Sequence, residues 1–180
     1  MGTKEKILRA AREAFAEKGF NGVSVDEIAK RAGVKKALIY YYFPSKEELF
    51  EEVWRVAIEE LEDHLFKQVE NERGYLNKIK KFLRAYIDFV TNKKVLSEVI
   101  EKERASILSE EKWRCLRERY EGFLSKVAAL IAEGKKYNAV YDDVDPIAAA
   151  NLISSSISPK KEGILDKIIS MIMRGIFKGN

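Results

Sequence analysis

Apolar residues recur along this chain with the three-and-four spacing of α-helices, and strand-like alternation is absent. Over residues 3–18, Ile7, Leu8, Ala11, Ala14 and Phe15 fall on one side of a helix, and Gly19 stands where such a helix ends. Ser24-Val25-Asp26-Glu27 reads as a capping box, in which the Ser oxygen accepts from the amide three residues on while Glu27 reaches back. It opens a short helix over 25–32 with Val25, Ile28, Ala29 and Ala32 on its apolar side, and Gly33 breaks that helix. A second short helix is predicted over 36–43 and ends at Pro44. Ser45-Lys46-Glu47-Glu48 repeats the capping signal at the start of a long helix reaching about residue 70.

Beyond residue 46 the predicted helices lengthen. One covers 75–91 with Ile79, Phe82, Leu83, Tyr86, Phe89 and Val90 inward, and a shorter one covers about 95–107. Residues 110–134 carry Trp113, Leu116, Tyr120, Phe123, Val127 and Leu130 as an apolar seam. Asp145-Pro146 supplies an N-cap followed by Pro at the first helical position, starting a helix to about residue 157; the last runs over roughly 162–178. The expectation is an all-α protein of about nine helices, with a small head at 1–46 and a larger helical part at 47–180. Pro44-Ser45 marks the seam between them.

Composition narrows the function. Hydrophobic residues make up 46% of 180, enough for a packed core. No apolar run approaches the ~18–20 residues of a membrane span, and MGTKEKILRA has no signal-peptide core, so the expected location is the cytoplasm. A single Cys builds no disulfide framework and agrees with a reducing compartment. The net charge of +4 is unevenly spread: residues 1–46 hold ten Lys/Arg and five Asp/Glu, whereas 47–180 hold 23 and 24. Residues 30–46 carry Lys30, Arg31, Lys35, Lys36 and Lys46 with no acid, the footprint of a nucleic-acid-binding surface.

Helix 25–32, the turn at Gly33 and helix 36–43 make a helix-turn-helix. Ala29 is small where the two helices touch, and Gly33 tolerates positive φ. Val34, Ile39 and Phe43 are expected to dock the second helix onto Ile28 and Phe15. Its other face is Lys35, Lys36, Ala37, Leu38, Tyr40 and Tyr41. Ammoniums pair with phosphates, phenol hydroxyls donate to them and rings cover thymine methyls. Ser24, at a helix N-terminus, offers hydroxyl and amide to a phosphate. Three consecutive tyrosines cannot share one helix face, so at least one of Tyr40, Tyr41 and Tyr42 is expected in solvent.

The stretch VSVDEIAKRAGVKKALIYYYFPSKEELF resembles the DNA-binding signature of the TetR family of transcriptional repressors, at Ser24, Ile28, Ala29, Ala32, Gly33, Val34, Ile39, Tyr40, Tyr42, Phe43, Ser45, Lys46, Glu47 and Leu49. The resemblance implies double-stranded DNA with a palindromic operator as partner, a small-molecule effector, and a homodimer through the last two helices. By position, it implies that Lys35, Lys36, Ala37 and Leu38 read base edges, that Tyr40, Tyr42 and Lys46 hold phosphates, and that Ser24 caps against one. Lys35 and Leu38 stand where family members often carry Ser or Thr, and SPKKEG between the last two helices is shorter than usual. The resemblance further implies an effector cavity lined by some of Trp54, Phe82, Tyr86, Phe89, Trp113, Tyr120 and Phe123, with Asn151 or Arg104 as polar anchors.

The remaining candidates are expected to be structural. No cofactor, metal site or catalytic residue is expected: with one His and one Cys a zinc site would have to rely almost wholly on carboxylates, a triad or dyad would need His64, and no Gly-rich phosphate loop is present. Asp145 reads as a cap, His64 as surface or pocket rim, and Cys115, beside the apolar seam, as buried or inert. The charge-free stretch 146–158 reads as a helix buried all round, fit to join the last helix in a four-helix interface across a two-fold axis. The leading expectation is a sequence-specific regulator, most simply a repressor released by an apolar or amphipathic effector. Two alternatives are a helix-turn-helix protein acting architecturally or through a protein partner, and a ligand-binding or catalytic bundle with an incidental basic head.

Overall fold

The computed structural model describes residues 1–179. Among them run nine α-helices: α1 Thr3–Lys18, α2 Val25–Ala32, α3 Lys36–Tyr42, α4 Lys46–Val69, α5 Tyr75–Asn92, α6 Lys94–Ser109, α7 Arg114–Lys136, α8 Pro146–Ser156 and α9 Leu165–Ile176. Among the described residues, no helix is long and apolar enough to cross a membrane. Local chemistry sets most boundaries. The Ser24 and Ser45 hydroxyls accept from the amides of Glu27 and Glu48, each at 3.1 Å, and Asp145 accepts from Ala148 at 2.7 Å. Gly33 ends α2 in the left-handed region at φ 66° and ψ 35°.

Several ends differ from the sequence expectation. Phe43 is the extended cap of α3 rather than its last residue. The seam helix splits into a 3-10 turn, Glu111–Trp113, followed by α7. The final helix starts at Leu165, because Pro159–Ile164 forms a 3-10 segment whose Lys161 leaves helical φ/ψ. Among the described residues, strand-like pairing is confined to an isolated antiparallel bridge between Val140 and Phe177. Half of the first capping box is absent: the Glu27 carboxylate bonds Lys18 and Arg31, two stronger charge-assisted donors than its own N-cap amide.

The chain forms two compact units. The first comprises Met1–Glu59 and Val95–Arg117, so it includes most of α6 besides the three-helix head. Its core holds a cluster of rings: Phe20 lies 5.0 Å from Trp113 and 5.3 Å from Phe50, and Phe50 lies 5.2 Å from Phe15.

The second unit comprises Glu60–Lys94 and the chain from Glu118 onward. Its core takes Ile79, Phe82, Leu83, Tyr86, Phe89 and Val90 from α5 and Tyr120, Phe123, Val127 and Leu130 from α7, as the spacing predicted. The Tyr86 hydroxyl shares a buried 3.0 Å hydrogen bond with that of Ser154. Glu62 of α4 is nearly buried and accepts from Arg119 at 2.9 Å and from Lys126. Burial pushes its carboxyl up, but the Lys126 and Arg119 hydrogen bonds outweigh that and hold it below the ordinary carboxylate range.

Two expectations about burial are corrected. Cys115 is exposed, because Leu116 takes the inward position on the seam and the residue before it lies about 100° round the helix. Helix α8 is buried on one side only: Ala149, Ala150, Ile153 and Ser154 face inward, while Ile147 is 63% and Leu152 51% exposed.

Candidate nucleic-acid interface

The helix-turn-helix is fixed by three local devices. The Ser24 hydroxyl starts α2. The Gly33 amide then donates to the carbonyls of Ala29 and Lys30, and that of Val34 donates to Ala29 at 3.0 Å. A Cβ at Gly33 would meet no neighbour, so φ alone demands glycine there. Lys35 is extended, and α3 follows with the Leu38 amide donating to the Lys35 carbonyl at 2.9 Å.

Only Ile39 of α3 is buried, with Phe43 buried just beyond. Val34, expected in that contact, is half-buried. A seven-residue helix with one inward side chain presents all the others. Lys35, Lys36, Ala37, Leu38, Tyr40, Tyr41 and Tyr42 are exposed, and Tyr41, at 79%, stands in solvent with its ring 5.1 Å from that of Tyr42. All three tyrosines are thus outward where the pattern demanded at least one. The face carries no acid of its own.

Charge pairs brace the scaffold behind this face. Arg31 of α2 bonds Glu17 of α1 and its own helix's Glu27, both at 2.7 Å, and Lys18 bonds Glu27 at 2.7 Å. Arg31 holds the Glu17 carboxyl below its usual range, and Lys18 and then Arg31 do the same for Glu27. On the outward side, Lys36 Nζ lies 2.8 Å from Asp26 Oδ2, and that hydrogen bond raises the Lys36 pKa. Both partners are well exposed, so the pair opens at little cost when a phosphate or base edge competes. Asp26 as the partner of Lys36 was not legible in the sequence, since the two meet only when the turn folds.

Lys46, expected at a phosphate, is also engaged within the protein. Its ammonium donates to the carbonyls of Phe20 at 2.9 Å and Val23 at 3.0 Å, and sits 4.2 Å above the Phe20 ring. Two of its three donors are therefore engaged within the protein, which leaves one N–H for a phosphate.

Nine residues are candidates for an effector cavity. Trp54, Trp113 and Arg104 belong to the first unit, and Phe82, Tyr86, Phe89, Tyr120, Phe123 and Asn151 to the second. The seven aromatic ones are buried. Arg104 bonds Glu101 at 3.0 Å, and exposed Asn151 donates to the Ile147 carbonyl of its own helix at 2.9 Å. The second unit carries a cleft of about 900 Å³ bordered by Lys78, Tyr137, Arg174 and Lys178. It also carries an apolar groove of about 420 Å³ on α8 and α9, bordered by Leu152, Ile164, Ile168 and Met171. None of the nine borders either.

Residues 7–53 match the family described as bacterial regulatory proteins, tetR family. The chain is 26% identical over 137 residues to an uncharacterized HTH-type transcriptional regulator, YhgD, of Bacillus subtilis, across 76% of this chain and 71% of the relative. It is 33% identical over 85 residues to IcaR of Staphylococcus aureus, the HTH-type negative transcriptional regulator of the biofilm operon icaADBC. That alignment spans 47% of this chain and 45% of the relative, less than half of either. In fold, the chain is similar to AibR, solved in complex with isovaleryl coenzyme A and operator DNA. The TM-score is 0.79 at 18% identity, covering 97% of this chain and 98% of that one.

Proposed function

Because this chain belongs to the TetR family of helix-turn-helix transcriptional regulators, we propose that it acts as a homodimeric repressor released from a palindromic operator by a small apolar or amphipathic effector. The observation that carries this reading is the acid-free outward face of α3, set at a fixed angle by the left-handed turn at Gly33. In it, α3 enters the major groove. Lys35, Lys36, Ala37 and Leu38 address base edges; Tyr40, Tyr41, Tyr42, the spare donor of Lys46, and Ser24 with the first amides of α2 address phosphates. Residues 1–46 form the DNA-binding part, and 47–180 the effector-binding and dimerising part.

Two copies joined through α8 and α9 would read half-sites one helical turn or more apart, ~34 Å. Effector binding favours a conformer whose heads no longer match that spacing, and operator affinity falls by the difference in effector affinity for the two conformers. α4, which begins at Lys46 beside the head and carries residues of both units, is the proposed lever. AibR was solved with an acyl coenzyme A, so acyl coenzyme A thioesters are the first effectors to screen. The burial of Trp54, Phe89 and Trp113 favours a second reading, in which the protein acts architecturally or through a protein partner without an effector.

The test is selection of bound duplexes from a random pool at near-physiological salt, followed by sequencing. A recovered palindrome supports the dimeric regulator and supplies the probe for the effector screen. Binding without a motif that vanishes as salt rises would reduce the head to an electrostatic surface and overturn the reading. A palindrome whose affinity no acyl coenzyme A alters turns the case toward the effector-free alternative.

A further inference from the structure

The turn between α1 and α2 is held from outside the helix-turn-helix on nearly every side. The Phe20 amide donates to Glu103 Oε1 of α6 at 2.7 Å, across 83 residues of sequence. One residue earlier along α6, Lys102 donates to the carbonyl of Glu17 at 2.6 Å. From the start of α4, Lys46 takes the carbonyls of Phe20 and Val23. The Phe20 ring is enclosed by Phe15, Phe50 and Trp113, with the ammoniums of Lys46 and Lys112 above it at 4.2 and 5.1 Å.

Glu103 also lies close against the start of the turn. Gly19 is at φ 73°, which favours glycine there, and a Cβ on it would lie 2.6 Å from Glu103 Oε1. Val23, whose carbonyl closes the turn, immediately precedes Ser24, and Ser24 sets the first turn of α2. The turn that leads into the α2 N-terminus is thus held by an acceptor carried by α6.

Resting on the DNA-binding reading above, we propose that Glu103 is a positioning residue for operator binding: its carboxylate holds the Phe20 amide, and through the Gly19–Val23 turn it places Ser24 and the α2 amides against a backbone phosphate. Glu103 makes no DNA contact in this role. An anionic side chain near a DNA-binding head repels the polyanion, so loss of its charge alone tightens binding. Loss of its hydrogen bond acts in the opposite direction. The two contributions separate in a pair of substitutions.

Glu103→Gln and Glu103→Ala both remove the charge, but only Gln keeps an oxygen that can accept from the Phe20 amide. Operator affinity is measured by fluorescence anisotropy on a selected duplex, alongside thermal unfolding and hydrogen exchange at the Phe20 amide. Glu103→Gln is expected to bind as tightly as the wild type or tighter. Glu103→Ala is expected to bind about tenfold more weakly across all sequences, the scale of one lost phosphate hydrogen bond, with an unchanged salt slope and faster exchange at Phe20. If Glu103→Ala does not fold, Glu103→Asp withdraws the acceptor by one methylene while keeping the charge and should still bind several-fold more weakly. Equal affinities for the Gln and Ala variants, or an unaltered Asp variant, overturn the inference alone. A wild-type protein that binds no duplex at all overturns the reading beneath it.

Discussion

Lys36 and Lys46 belong to the same basic stretch, yet the structure gives them different work. Lys36 reaches outward and is restrained only by Asp26, in a pair whose partners are 46% and 70% exposed. Lys36→Ala should leave thermal stability nearly unchanged, since such pairs contribute ~0–1 kcal/mol. It should also change which sequence is recovered when bound duplexes are selected from a random pool, as expected of a base contact. Lys46→Ala strips two carbonyls of a charged donor, so it should lower stability by about 1.5–3 kcal/mol in denaturant unfolding. A Lys46 variant as stable as the wild type would show that solvent replaces the ammonium freely. The difference between the two residues was hidden in the sequence. Ser24, Gly33, Ser45 and Asp145 were legible because a cap or a left-handed turn acts over three or four residues. Lys46 and Phe20 lie 26 residues apart, and their contact exists only once the head has closed.

At the scale of elements, α5 and α7 show how one residue fixes a helix pair. The ring of Tyr75, at the start of α5, lies across the backbone of α7, where a Cβ at Gly134 would sit 2.3 Å from it. The Tyr75 hydroxyl donates to the carbonyls of Leu130 and Ile131 at 3.1 and 3.3 Å, and burial, aided by Glu133, pushes its pKa up. Intrinsic propensity favours Ala over Gly inside a helix by ~0.8–1 kcal/mol. Gly134→Ala should nevertheless destabilise the protein by about 1–3 kcal/mol, because the overpacked ring has to move. In a Tyr75→Leu background the same change should cost much less, and a double-mutant cycle of urea unfolding reads the difference. An additive cycle would refute the contact. Helix existence was readable from spacing, since the apolar positions of α5 and α7 are the buried ones. The start of α9 was not, because Ile164 continues the apolar pattern while its φ of −128° has already left the helix.

At the scale of the whole molecule, α8 and α9 turn large apolar side chains outward: Ile147, Leu152, Ile164 and Met171 are each about half exposed or more. Composition alone read 146–158 as buried all round, because it cannot separate burial against the same chain from burial against a second copy. The proposed dimer covers this face. Leu152→Lys with Met171→Lys places a charge from each helix in the seam, where desolvation is costly. Size-exclusion chromatography with light scattering should then report a monomer, and affinity for a palindromic duplex should fall toward that for a single half-site. A wild-type protein that is monomeric at micromolar concentration would remove the basis for this assignment.

Cys115 has a practical consequence at the same scale. It is the single thiol of the chain, it is exposed, and it belongs to the unit that carries the helix-turn-helix. A maleimide nitroxide therefore attaches at one known place with no background and no cysteine to remove. In a two-copy assembly those labels form one spin pair, and dipolar spectroscopy on it becomes a ruler for the distance between the two DNA-binding units, with duplex and with each candidate effector, in unmodified sequence.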